Sequence, residues 1–172
     1  MSELSFARIH WHLPDWLRFS PIIWLFALSV GALSWYWLPE GGHDWRNFFL
    51  LAGRNWWPDP WGGLGAFPYP PWASLLISPL AALPARVATV LTNTTAVLML
   101  TLVIRRFDGP EWVVLPVLIS PPGFWLFSNG QLDWLVWWGL LMFNGLDILL
   151  LTIKPQVAIG VVFRAVAKSS GD

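Results

Sequence analysis

Cysteine is absent from the 172 residues. Disulfides and thiolate metal sites are therefore excluded, and the compartment is left open. Charge is scarce as well. Asp, Glu, Lys and Arg make up 12% of the chain, against about a quarter in an ordinary soluble domain. So little charge cannot coat a globule in water. Ten basic and ten acidic residues cancel, so the basic surplus that marks a nucleic-acid partner is missing. The three histidines, His10, His12 and His43, form no metal-ligand pattern. No metal and no cofactor are expected. Internal repeats, low-complexity tracts and a soluble domain are also missing.

Apolar residues are abundant, at 56%, with 15 Trp among them. Trp concentrates at membrane–water interfaces. The composition predicts an all-α, polytopic membrane protein with the lipid bilayer as its surroundings. Pro21 to Leu38 is an uncharged 18-residue run. At 1.5 Å per residue it reaches about 27 Å, enough to span. Val87 to Ile104 is a second run, closed by Arg105-Arg106, which belong on the cytoplasmic side. Asn93 and the threonines of this run should face other helices, where they can hydrogen-bond. Trp112 to Phe127 contains Pro116, Pro121 and Pro122 and reads as a broken helix. Leu132 to Phe143 is a short apolar run. Leu146 to Phe163 carries Asp147, Lys154, Pro155 and Gln156, and ionic groups inside a span normally face a cavity or a partner. About 4–5 transmembrane helices are expected, in a multi-pass protein of the cell membrane.

Three segments follow: an interfacial cytoplasmic stretch over 1–19, a membrane domain over 20–166 with an external loop over 39–86, and a polar tail over 167–172. The apolar piece at 70–84 is too short to span easily. The charge rule favours its lying along the surface or dipping in and returning.

The loop contains "GGHDWRNFFLLAGRNWWPDPWGGLGAFPYPPW", residues 41–72. Trp45, Phe48, Phe49 and Ala52 recur at helical spacing and predict a short juxtamembrane helix. Asp44 stands at its N-cap position, where a carboxylate can accept backbone N–H groups. Capping is one role open to it; chemistry is the other. Asp59, between Pro58 and Pro60, reads as a turn residue. The prolines and aromatics predict an ordered loop.

Four motifs occur in order: Asp44 just past the first apolar run with "LLAGRNWWPDP", then "YPPWASLLISPLAALP", "SNGQLDWL" and "TIKPQ". Together they resemble the GT-C superfamily of membrane glycosyltransferases, in particular the polyprenyl-phosphate-mannose-dependent α-1,2-mannosyltransferases. The likeness covers residues 20–165. It implies a hexosyl (mannosyl) transfer outside the cytoplasm from a polyprenyl-phosphate sugar donor. Asp44 would be the general base on an acceptor hydroxyl, with inversion at the sugar and lipid phosphate leaving. A leaving phosphate needs positive charge, for which Arg54, Arg86 and Lys154 are the candidates. An ion pair of Lys154 with Asp133 or Asp147 is the alternative for that residue. Tyr69, Gln131 and Gln156 are the further substrate contacts carried by the motifs. The family's members are longer, so the chain is expected to match an N-terminal half and to work with another membrane chain. The alternative is a truncated, non-catalytic Trp-rich subunit of a larger membrane complex.

Overall fold

Proline can open a helix but cannot be reached from behind by its hydrogen-bond ladder. The first helix, α1 (Pro21–Trp37), uses this: Ser20 accepts from the Ile23 amide at 3.4 Å and Pro21 fills the first turn. The computed structural model describes residues 19–55, 69–142 and 146–154, with 53–55 and 146–148 described by backbone alone. Every regular element among them is helical. The interfacial segment before residue 19, Asp59, Gln156 and the tail lie outside the described residues.

A π-helical turn (Trp45–Phe49) and α2 (Leu50–Asn55) follow α1. Then come α3 (Pro71–Ala81), α4 (Ala85–Arg106), a 3-10 turn (Glu111–Val113) with α5 (Val114–Ile119), α6 (Pro121–Asn129), α7 (Asp133–Leu141) and α8 (Leu146–Leu151). By length and composition, α4 is the one described helix able to cross a membrane by itself. The 3-10 turn with α5 forms, together with α6, a second apolar unit bent by 79°. The bend falls at Ser120, whose hydroxyl caps the Gly123 amide at 3.3 Å, and at Pro121-Pro122, which cannot extend α5.

The α4 helix gives the molecule two ends. At one, Gly41 packs on the backbone of Ala85. At the other, Arg105 pairs with Glu111 at 3.1 Å, and Ser20 donates to the same carboxylate at 2.7 Å. Helix α1 thus runs antiparallel beside α4. Their contact is close where Gly31 meets Thr94, as small residues allow between apolar helices. The bent unit starts at the Arg105 end with Glu111. It finishes at the Gly41 end, where Asn129 and Gly130 touch Gly42 and Trp45. It therefore traverses the molecule instead of turning back.

The α7–α8 pair behaves differently. Asp133 begins α7 and Lys154 follows α8, yet their charged atoms are 2.7 Å apart. Both ends of this hairpin lie at one level. Nine residues of α7 reach only about 14 Å. Among the described residues the pair forms a short hairpin. Helix α8 ends at Leu151, and Pro155 has no N–H to offer the Leu151 carbonyl. Helix α3 is also local. It enters beside α8, where Trp72 donates to the Leu149 carbonyl at 3.3 Å, and it leaves directly into the Ala85 end of α4.

The core has two parts. Trp45, Phe49, Ala52, Ile77, Leu132 and Val136 lead one, at the Gly41 end. Ala27, Val97, Leu100, Val114 and Leu118 form the other, toward the Arg105 end.

Candidate functional site

The stretch from Gly41 to Phe49 is fastened to α4 by polar side chains. The Gly42 amide donates to Thr89 Oγ1 at 2.7 Å, and the buried Trp45 indole donates to Thr92 Oγ1 at 3.1 Å. One turn further on, Asn93 donates to Ser34 Oγ and to the Phe127 carbonyl, both at 2.8 Å. The polar residues of this apolar run, expected to face other helices, thus tie α4 to α1, to α6 and to the loop. A Cβ on Gly42 would stand 2.5 Å from the Asn129 carbonyl oxygen. Glycine is required there because two backbones touch.

That fastening fixes Asp44. It stands at the N-terminal end of the π turn, but its carboxylate makes no capping bond. The capping role open to it in sequence is not the one it has. Its Oδ1 lies 3.3 Å from His43 Nδ1 instead. His43 is itself held through its carbonyl, which accepts from Asn47 Nδ2 at 2.9 Å. Burial raises the proton affinity of Asp44 above that of an ordinary carboxyl. The His43 hydrogen bond and charge, and the Lys154 charge, oppose that rise, and the Asp133 charge adds to it. Asp44 therefore shares an electrostatic site with residues 89 and 110 positions away.

The other side of the site is built by Lys154. Its ammonium donates to Gln131 Oε1 at 2.8 Å and to Asp133 Oδ2 at 2.7 Å. It also lies 5.9 Å from the centre of the Tyr69 ring, within reach of a cation–π attraction. Asp133, one of the two ion-pair partners open to it in sequence, is thus in place; the Asp147 side chain lies outside the described residues. Tyr69 packs on Phe49 with ring centres 5.7 Å apart. Burial, and then the Asp44 and Asp133 carboxylates, push its phenol well above the ordinary range. It stays a neutral hydroxyl at any physiological pH.

Asp44, Tyr69, Gln131 and Lys154 are thus brought together from four separate motifs. Arg86 stands apart from this group. Its guanidinium donates to the Trp35 carbonyl at 3.0 and 2.5 Å and stacks 3.8 Å over the Trp35 ring. It closes the last turn of α1, a role cations commonly take at helix C-termini. Arg54 lies in α2, and its side chain is outside the description.

Three residues of the site were undervalued by the motif reading. Asp133 is 7% exposed and neutralises Lys154; its place one helical start after Gln131 was the available signal. Thr89 and Thr92 hold the loop, and nothing in their spacing alone reveals that. Among the described residues no cluster of three or more His, Asp and Glu side chains could hold a metal. No protein-family model, curated protein or solved structure matches the chain.

Proposed function

We propose that this chain is a multi-pass protein of the cell membrane. On this reading it carries the base-bearing site of a GT-C-type glycosyltransferase, which moves a sugar from a polyprenyl-phosphate donor to an acceptor hydroxyl. One observation carries the reading: Asp44, Tyr69, Gln131 and Lys154, from motifs spread over 111 positions of sequence, converge at the Gly41 end of α4. Structural roles alone do not require such convergence.

The membrane arrangement follows from the two ends. Arg105 and Arg106 lie inside, so the Gly41 end and the site lie outside. Exposed Trp24 and Trp112 sit toward one end, and exposed Trp35, Tyr36 and Trp37 at the other, as aromatic belts at two interfaces do. Among the described residues this gives three crossings: α1, α4 and the bent α5–α6 unit. The α7–α8 hairpin enters from outside and returns.

In the reaction, the Asp44 carboxylate takes the proton of the acceptor hydroxyl as its oxygen bonds to the anomeric carbon. The bond from that carbon to the phosphate oxygen breaks with inversion. A raised proton affinity makes Asp44 a stronger base than an exposed aspartate. Among the described residues Lys154 makes two of its three possible N–H bonds, and the Gln131 NH2 makes none. Both suit the oxygens of the departing phosphate. Membranes containing the chain, with whatever membrane chain co-purifies, transfer sugar from a polyprenyl-phosphate sugar to a soluble acceptor; membranes lacking the chain do not. The exposed aromatics also suit another membrane chain. Co-purification without any transfer would establish the non-catalytic subunit instead.

A further inference from the structure

The π turn (Trp45–Phe49) follows directly on Asp44, and the Leu50 amide reaches back five residues to the Trp45 carbonyl. Such turns are rare and recur at functional sites. Here the turn has a specific consequence for His43. In an α-helix, at about 3.6 residues per turn, position 48 would stand about 140° around the axis from position 43. The wider turn brings the two side chains together. The rings of His43 and Phe48 meet edge to face, with centres 5.8 Å apart. Phe48 itself packs against the core at the Gly41 end.

His43 needs that support. Its side chain is 56% exposed, so burial does not hold it. Its carbonyl accepts from Asn47 Nδ2, which ties down the backbone, and the Phe48 edge contact restrains the imidazole. Glu40 and Arg46, the other charged residues of this stretch, pair with each other.

Asp44 has the opposite surroundings, with 16% of its side chain exposed. Among the described residues His43 is the one side chain that hydrogen-bonds it, through Oδ1, and Oδ2 has no hydrogen-bond partner. Lys154 and Asp133 act on Asp44 through charge. The hydrogen bonds of the Lys154 ammonium go to Asp133 and Gln131. An ionised carboxylate can only accept. With Asp44 ionised, as a base must be, the proton between the two residues therefore sits on Nδ1.

We propose that His43 is a positioning residue: braced by Phe48 and Asn47, its Nδ1–H holds Asp44 Oδ1 and leaves Oδ2 for the acceptor hydroxyl. The inference rests on the proposed function and adds the group that aims its base. His43 touches no substrate and acts through Asp44. A carboxylate turns about its Cβ–Cγ bond unless one oxygen is held, and misplacement by about 1 Å can cost about 10²-fold in rate.

The test compares sugar-transfer kinetics of the full chain, with any co-purifying chain, at alkaline pH, where Asp44 is ionised in every variant. His43→Ala should lower kcat about 10- to 100-fold, with KM for the polyprenyl-phosphate donor unchanged. His43→Asn keeps an N–H near the place of Nδ1 and should recover most of that loss. Phe48→Leu keeps the core filled but removes the edge contact, and should lower kcat by less. Melting temperatures of the His43 variants should stay near native, because the side chain is exposed. A His43→Ala loss confined to acid pH would overturn the inference, since His43 would then only favour the ionised carboxylate. So would equal losses in His43→Ala and His43→Asn. A second measurement needs no turnover. In the chain carrying isotope-labelled histidine, the Nδ1 resonance that His43→Asn removes should move on Asp44→Asn. If it stays in place, the orienting role falls and the base assignment stands. If the native chain transfers no sugar, the base assignment falls and the orienting role falls with it.

Discussion

Lys154 Nζ lies 2.7 Å from Asp133 Oδ2, and the two side chains are only 11% and 10% exposed. The bond joins the two ends of the α7–α8 hairpin and sets one edge of the candidate site. Removing one partner leaves a buried charge uncompensated, which typically costs about 3–5 kcal/mol. Lys154→Met and Asp133→Leu should each lower the unfolding midpoint in detergent by the equivalent of that loss. The double variant should recover much of it. Equal losses that simply add would mean the pair does not hold the hairpin.

The pH dependence has a defined sign. Burial raises the Asp44 carboxyl above its ordinary value of 3.8. A base must be ionised to work, so the acid limb of the transfer rate should lie above the usual aspartate range. His43→Ala and Lys154→Met should move it higher still, because both groups favour the ionised form; Asp133→Asn should move it lower. For stability, the folded chain holds this proton more tightly than the unfolded chain. The contribution is therefore most favourable below pH 3.8 and is lost as pH rises through the folded value. Asp44→Asn should remove that decline in a series of melting curves.

Gly42 is where the loop meets α6. Gly42→Ala places a methyl 2.5 Å from the Asn129 carbonyl oxygen, and neither backbone can yield cheaply. Overpacking of this kind costs about 1–3 kcal/mol. Because Asp44 is two residues away, transfer should fall more than the melting temperature does. An unchanged rate would show that the loop's seating on α6 is irrelevant to the site.

Much of the helical layout was legible in the sequence because it depends on local chemistry. The apolar run from Pro21 ends within one residue of the observed helix, and the Pro121-Pro122 break is where the bent unit turns. Of the face expected from spacing, Trp45, Phe49 and Ala52 are fully buried and Phe48 is half-buried. The closing of α7 and α8 into a hairpin was not legible. Apolar content cannot tell a short crossing from a returning pair; the closure depends on a bond between residues 21 positions apart. The same limit explains Arg86. Its charge made it a phosphate candidate, and only packing reveals that the Trp35 carbonyl engages it.

The absence of cysteine makes sidedness easy to measure. Single cysteines at Glu40 and at Arg106, both exposed, should react oppositely with a membrane-impermeant maleimide. Position 40 should label in intact cells and position 106 only after lysis. The reverse pattern would put the site inside and remove the external-transfer reading.

The most direct test of the central claim is the transfer rate of Asp44→Asn. This change keeps size and hydrogen bonding and removes the basic oxygen. A general base contributes typically about 10²–10⁴-fold. In membranes with matched amounts of protein, sugar transfer from the polyprenyl-phosphate donor should fall by a factor in that range, with the melting temperature nearly unchanged. Transfer at the native rate would contradict the account.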